Sequence, residues 1–177
     1  YSDKSNQSKI YAIIIEPLNA STMLTCDEEF LLQLRKICDD LNIVLIFDEV
    51  YTGWGKTGNL FNFMRCKNLV PDILVYAKSF GGGKSSISGY SYSRKIAESY
   101  NSLKDVTLHS TTYYGFGEEC ATAIEALRII EDENLVENSK IIGNKVEEFF
   151  KKHDFSHVIS EIRGSGALWG VVLNIPS

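Results

Sequence analysis

One continuous apolar run, Ile43-Val44-Leu45-Ile46-Phe47, limits the possible folds of this chain more than any other feature. Because strands with one solvated face alternate apolar and polar residues, an unbroken run indicates a parallel strand covered on both faces. A second apolar run, at residues 10–16, stops at Pro17, as a buried strand does. Between them, Asp27 is placed to cap a helix whose apolar residues recur at helical spacing. Strand, helix and strand in this order predict a βαβ unit.

The alternation of strands and helices continues along the chain. Further strands are predicted at residues 72–77, 87–93, 159–163 and 168–173, and helices at residues 118–131 and 135–150. The first of these helices is expected to carry one apolar face, formed by Ala121, Ile124, Leu127 and Ile130. The last two, separated by Gly164 and Gly166, are expected to form either a closing strand pair or one bent strand. The predicted fold class is α/β, a mostly parallel sheet flanked by helices.

Composition excludes several classes of protein. The 177 residues are 44% hydrophobic and 23% charged, with a formal net charge of -5, which suits a globular domain and gives no reason to expect a nucleic-acid partner. The apolar runs are too short to span a bilayer, and we expect no secretory signal because no basic segment followed by an apolar stretch occurs at residues 1–9. The four cysteines are widely spaced and form no CxxC pair, so we expect reduced thiols, no metal site and a cytoplasmic location.

Asp48 follows the central apolar run directly, with Glu49 beside it. In open α/β sheets, ligands gather at the carboxyl ends of strands, so a functional carboxylate is expected at this point. The alternative, about equally favoured for Asp48 alone, is that its side chain caps the following turn by accepting a backbone hydrogen bond.

Lys78 follows the predicted strand at residues 72–77, and Gly81-Gly82-Gly83 comes soon after it. A lysine at a strand end beside a glycine-rich loop can be partly desolvated, which would make its neutral amine available as a nucleophile. Taken alone, Lys78 is more simply a surface lysine followed by an ordinary turn.

Asp48 and Lys78 are more informative as a pair. A carboxylate at one strand end and a lysine at the next suit pyridoxal 5'-phosphate, whose aldehyde condenses with a lysine amine to a Schiff base. The carboxylate would pair with the pyridinium nitrogen and keep the ring an electron sink.

These segments resemble class III aminotransferases, a family of fold type I pyridoxal-phosphate enzymes. LIFDEVYTGWGKTG is similar to the family's strand, Asp-Glu-Val and TGxGxTG stretch, and PDILVYAKSFGGG is similar to its Pro-Asp-Ile strand, Ala-Lys and triple glycine. The resemblance implies that Lys78 forms the internal aldimine and Asp48 pairs with the pyridine nitrogen. Tyr51 stands where many members carry a glutamine near the cofactor's phenolic oxygen.

Two further segments carry the resemblance. LHSTTYYGFGEECATA is similar to the stretch in which a threonine, here Thr112, binds the cofactor phosphate of the neighbouring subunit, which implies a homodimer. Phe116-Gly117 departs from the family's Asn-Pro there, and Thr112 would otherwise be a capping residue. IRGSGALWGVVL is similar to a strand whose arginine, here Arg163, grips a substrate carboxylate. The alternative for Arg163 is an ion pair with Glu161 or Asp154.

The Glu-Pro motif at residues 16–17 also fits the family, but Ser21 stands near the position of a glutamate that gates ω-amino-acid binding in some members. Family members are more than twice as long, so residues 1–133 would be part of the large cofactor-binding domain and residues 134–177 the start of a small, incomplete C-terminal domain. The implied reaction is transfer of an amino group from an amino donor to a keto or aldehyde acceptor. An aminomutase, racemase or decarboxylase of the same family, or a truncated module without activity, is the alternative, and we expect the isolated chain to be inactive.

Overall fold

A four-stranded sheet forms the centre of the computed structural model, which describes residues 10–99, 112 and 116–174. Its strands are β1 (Ala12–Ile15), β2 (Val44–Asp48), β3 (Ile73–Tyr76) and β4 (Gly89–Tyr92), which lie in the order β1-β2-β3-β4. The first three strands are parallel to one another, and β4 runs antiparallel to β3. The predicted α/β class and mostly parallel sheet are confirmed.

The main core lies on one face of this sheet. Leu45 and Phe47 of β2 are fully buried and pack in the same cluster as Leu31 and Cys38 of helix α1 (Glu28–Asp40). The alternate positions of β2 are only partly buried. The expectation that both faces of β2 are covered is therefore met fully on one face and in part on the other.

Helix α1 begins where its sequence predicts, directly after Asp27, but the Asp27 side chain makes no capping hydrogen bond. A different carboxylate fixes the helix to the sheet. Oδ2 of Asp72, which precedes β3, accepts the backbone N–H of Leu45 at 2.8 Å and a guanidinium N–H of Arg35 at 2.9 Å. This nearly buried carboxylate therefore joins α1, β2 and β3.

Three more helices follow the sheet: α2 (Arg94–Ser99), α3 (Gly117–Asp132) and α4 (Leu135–Lys152). The sequence analysis did not predict α2, and the predicted apolar face of α3 is buried only in part, since Leu127 and Ile130 are half-buried and Ala121 is exposed. Ile124 is 54% exposed, whereas Ala123 is buried. The buried side of α3 carries alanines because it approaches a glycine turn closely: a Cβ on Gly82 would lie 3.0 Å from Cβ of Ala126.

The last two strands, β5 (Ile159–Ser165) and β6 (Leu168–Leu173), form a strand pair, the first of the two predicted alternatives, as a separate antiparallel sheet. The turn of this hairpin lies against residues 56–58. The backbone N–H of Ala167 donates to the Lys56 carbonyl, and the Ser165 hydroxyl donates to the Thr57 carbonyl, both at 2.8 Å. The hairpin is thereby attached to the loop that follows β2.

Within the described residues, no helix is both long enough and apolar enough to cross a membrane. The four cysteines are free thiols, and Cys38 and Cys66 are buried. No group of three or more potential metal ligands occurs in the described part of the chain.

Candidate active site

The strands β2 and β3 bring two loops to one edge of the sheet. Because the strands are parallel, with Asp48 in register with Val75, their carboxyl ends lie side by side. We call residues 49–61, which follow β2, the Asp48 loop, and residues 77–88, which join β3 to β4, the Lys78 loop. Asp48 is the last residue of β2, and Lys78 opens a 3-10 turn, Lys78–Gly81, just after β3. The predicted carboxylate and amine therefore belong to neighbouring strand ends.

Asp48 is half-buried, and its Oδ1 accepts the backbone N–H of Val50 at 3.0 Å. This is the turn-capping bond that the sequence allows as the alternative role of Asp48. Among the described residues no hydrogen bond reaches its second oxygen, Oδ2. Asp48 thus caps its turn and keeps one carboxylate oxygen for another partner.

Lys78 is exposed, so the partial desolvation expected from its place at a strand end does not occur among the described residues. Its backbone is left-handed, with φ of 48°, which is unusual for a residue other than glycine. Its Nζ lies 5.8 Å from the centroid of the Tyr51 ring, within the range of a cation–π contact. The structure therefore brings two predicted site residues, Lys78 and Tyr51, together.

A cavity of about 580 Å³ opens beside Lys78 within the Lys78 loop. At Gly83 a Cβ would meet nothing within 4 Å, so backbone there is open to a ligand. The cavity is lined by Ala77, Lys78, Gly83, Lys84, Ser85, Ser86, Ile87 and Ser88.

Glu49 had no assigned role from sequence, and the structure gives it one. Its carboxylate is fully buried and accepts three hydrogen bonds at 2.7 Å, from the Thr52 hydroxyl and from the backbone N–H groups of Asn62 and Phe63. Burial raises its pKa, and these hydrogen bonds partly oppose the rise. Glu49 therefore shapes the Asp48 loop from inside.

Sequence reasoning also missed Lys56, which lies in the GWGKTG stretch of the Asp48 loop. Its Nζ donates to Oγ of Ser79 at 2.6 Å and lies 5.9 Å from the Tyr51 ring centroid. Burial and the neighbouring charge of Lys78 lower the pKa of Lys56 to about 8, although Glu49 opposes this. No motif signalled this role, because the contact depends on how two loops meet.

Arg163 is not brought to this site by any polar contact. In the described residues it joins neither Asp48 nor Lys78 by a hydrogen bond or ion pair, and it pairs with Glu161 at 2.5 Å. This is one of the two alternative partners that the sequence suggested. Thr112 is exposed, and most of the segment around it lies outside the described residues.

The chain is similar to aminotransferases along almost its whole length. The family model described as aminotransferase class-III matches residues 2–176. Acetylornithine aminotransferase of Methanocaldococcus jannaschii is 37% identical over 170 residues, which cover 93% of this chain and 40% of that protein. Succinylornithine transaminase of Yersinia pseudotuberculosis is 38% identical over 165 residues, which cover 92% of this chain and 38% of that protein.

Solved structures give the same result. An (S)-enantioselective omega-transaminase from Thermomicrobium roseum superposes with a TM-score of 0.87 at 31% identity, covering 95% of this chain and 38% of that one. An aminotransferase from Bacillus anthracis gives 0.86 at 32% identity, covering 94% and 38%. The chain spans about 40% of the length of the curated relatives it matches. The family match, the identities and the shared fold together show that this chain belongs to the class-III aminotransferase family.

Proposed function

We propose that the protein containing this chain transfers an amino group from an amino donor to a keto or aldehyde acceptor, with pyridoxal 5'-phosphate as cofactor. One observation carries the proposal: a carboxylate and an amine stand at the carboxyl ends of two adjacent parallel strands. Membership of a family of pyridoxal-phosphate enzymes supports the same cofactor.

The residues present fit this cofactor at two of its functional groups. Oδ2 of Asp48 would pair with the pyridine nitrogen, since Oδ1 is already occupied by the Val50 N–H. The amine of Lys78 would hold the aldehyde, and its exposure leaves Nζ accessible. When bound, the cofactor supplies an electron sink for carbanion chemistry.

Lys78 is proposed to act also as the proton carrier. Its Nζ would take a proton from the carbon that bears the donor's amino group and later return a proton, as general base and then general acid. The Tyr51 ring, 5.8 Å from Nζ, restrains where the amine can go. The Tyr51 hydroxyl is proposed to donate to the cofactor's phenolic oxygen.

The proposed roles of Arg163 and Thr112 are supported more by the resemblance of their segments to class III aminotransferases than by where the two residues lie. Arg163 is proposed to bind a substrate carboxylate, which requires that the carboxylate displace Glu161 from its present ion pair. Thr112 is proposed to bind the cofactor phosphate of a neighbouring subunit, and its exposure is compatible with such a contact.

The remaining expectations also stand as proposals. They are a homodimer with a shared active site, a cytoplasmic location, and a division into a large domain up to residue 133 and a small domain from residue 134. The relatives carry different substrates in their names, acetylornithine and succinylornithine among them. We therefore propose a reaction class and no particular amino donor.

The test uses the protein expressed from its complete reading frame. Incubation with pyridoxal 5'-phosphate and reduction with borohydride should leave one adduct, which peptide mass mapping should place on Lys78. Lys78→Ala should lose this adduct and lower kcat by at least about 10²–10⁴-fold, since the base that moves the proton is gone. An adduct on Lys56 or Lys84 in place of Lys78 would contradict the site.

A second measurement separates transamination from the alternatives. A half-reaction with an amino donor alone should convert the bound cofactor to pyridoxamine phosphate in stoichiometric amount. A racemase or decarboxylase would turn over the donor without accumulating that product, and an aminomutase would return the amino group to the same molecule and give an isomer of the donor. A module without activity would give neither the adduct nor turnover.

A further inference from the structure

A second lysine lies beside the candidate active site and bonds to the turn that carries Lys78. We infer that Lys56 is a positioning residue, which holds the Lys78–Gly81 turn through Ser79 so that the Lys78 amine stays over the Tyr51 ring. The inference rests on the proposed function, since it assumes that Lys78 is the amine that captures the cofactor.

The hydrogen bond between Lys56 and Ser79 is the first support. The ammonium donates to Oγ of Ser79 at 2.6 Å, and Ser79 directly follows Lys78 in the chain. Lys56 is only partly exposed, so a bond from its charged group is shielded from water and from salt. A restraint on Ser79 is transmitted through one peptide bond to Lys78.

A second contact acts on the next residue of the turn. The Phe80 ring stacks on Trp54, with centroids 4.7 Å apart and planes within 11°. Trp54 and Lys56 both belong to the Asp48 loop, so this loop holds the turn at two consecutive positions. The aromatic contact sets the distance between the loops, and the Lys56 bond adds a directional restraint.

The backbone of the turn explains why such restraints matter. Lys78 has φ of 48°, and the turn ends at Gly82 with φ of 58°, so two left-handed residues enclose it. A left-handed lysine is unfavourable unless its surroundings hold it in place. Without the Lys56 bond, we expect Lys78 to relax toward ordinary backbone angles and its amine to leave Tyr51.

Lys56 and Lys78 are also electrostatically linked. Their Nζ atoms lie 5.9 and 5.8 Å from the same ring centroid, and the charge of Lys78 disfavours the charged form of Lys56. The two amines therefore share one aromatic ring, and a change at either one acts on the other across it.

The experiment follows capture of the cofactor in the protein from the complete reading frame. The rate at which pyridoxal 5'-phosphate becomes trapped on Lys78 by borohydride is measured for Lys56→Met, Lys56→Arg, Ser79→Ala and the double variant Lys56→Met with Ser79→Ala. We expect Lys56→Met and Ser79→Ala each to slow trapping by about tenfold, the double variant to slow it no further, and Lys56→Arg to restore most of the rate. Lys67→Met, on an exposed lysine outside the site, is the control and should not change the rate.

Hydrogen exchange of the protein without cofactor measures directly how firmly the Lys78–Gly81 turn is held. Backbone hydrogen exchange of peptides from residues 77–88 should speed up in Lys56→Met and in Ser79→Ala, whereas exchange in helix α1 should not change. Rates of trapping within twofold of wild type in both single variants, or unchanged exchange in the Lys78 loop, would overturn the inference. If the Lys56 variants do not fold, Ser79→Ala alone decides in the same way.

The two proposals fail differently. If the unsubstituted protein forms no adduct on Lys78, the proposed function is wrong, and this inference fails with it. If that adduct forms normally while the Lys56 and Ser79 variants behave like the unsubstituted protein, only the role of Lys56 is wrong.

Discussion

The two loops at the sheet edge are built in opposite ways. In the Asp48 loop, Thr52, Thr57 and several glycines are buried, and Glu49 fixes the loop from inside with three short hydrogen bonds. In the Lys78 loop, half of the residues are exposed, and the side-chain restraints described above come from Lys56 and Trp54 of the Asp48 loop.

This difference suggests how the site divides its tasks. The carboxylate that would hold a cofactor ring needs a fixed place, and a buried hydrogen-bonded loop provides it. The amine that would capture an aldehyde and then move protons needs access, which the exposed Lys78 side chain provides. The Lys78 loop therefore depends on the Asp48 loop for its position, whereas the Asp48 loop has the internal hydrogen bonds of Glu49 as well.

The largest effect is expected from removing the internal carboxylate of the Asp48 loop. Glu49→Ala would leave the N–H groups of Asn62 and Phe63 and the Thr52 hydroxyl buried without an acceptor. We expect a loss of about 3–5 kcal/mol in the free energy of unfolding, from urea titrations followed by circular dichroism. Lys78→Ala, its control in the exposed loop, should cost about 1 kcal/mol or less. Equal losses of unfolding free energy in the two variants would show that the two loops do not differ in how firmly they are held.

A matched pair of glycine substitutions should give the next largest difference. Gly166, with φ of 59°, lies so close to the Asp48 loop that a Cβ would come within 2.4 Å of the Thr57 carbonyl carbon. Gly83 has a similar φ of 71° and open space around it. Gly166→Ala should lower the free energy of unfolding by about 3 kcal/mol, and the melting temperature with it. The alanine would strain the left-handed backbone, and its Cβ would overlap the Thr57 carbonyl carbon.

Gly83→Ala should cost only the strain of a left-handed alanine, about 1 kcal/mol. The difference between these two variants, measured by calorimetry, isolates the contact between the β5–β6 hairpin and the Asp48 loop. If Gly83→Ala proves as costly as Gly166→Ala, the Lys78 loop is more tightly packed than its exposure indicates.

The sequence correctly predicts that Asp48 and Lys78 lie at the carboxyl ends of β2 and β3. Apolar runs mark the strands, and parallel neighbours have their carboxyl ends at the same edge of the sheet. The sequence predicts the alternative partner of Arg163 for a similar reason, since residues two apart in a strand share a face and Glu161 is two residues away. Both inferences start from the pattern of side chains along a single strand.

Contacts between loops are the part that sequence could not supply. The acceptor role of Glu49 depends on N–H groups 13 and 14 residues further along the chain, and no spacing rule connects them. The bond from Lys56 to Ser79 spans 23 residues across two loops of irregular backbone. The closest contact of α3 also escapes the periodic pattern, because size decides there: Ala126 fits against the glycine turn at Gly82, whereas Ile124 is exposed.

The smallest effect is expected from pH, and it sharpens the account of the Asp48 loop. Burial raises the pKa of Glu49 above its ordinary value of 4.5, so the folded protein holds this proton more tightly than the unfolded chain does. The stabilisation from the protonated form is thus fully present below pH 4.5 and is lost as pH rises through the folded-state value.

Because Glu49→Gln cannot titrate, the stability of the unsubstituted protein relative to this variant should fall from pH 4 toward pH 7, while other groups cancel in the difference. Urea titrations of both proteins across that range measure it. A difference that grows with pH would mean that the hydrogen bonds from Thr52, Asn62 and Phe63 outweigh burial, and that the Asp48 loop is built around a carboxylate favoured in its charged form.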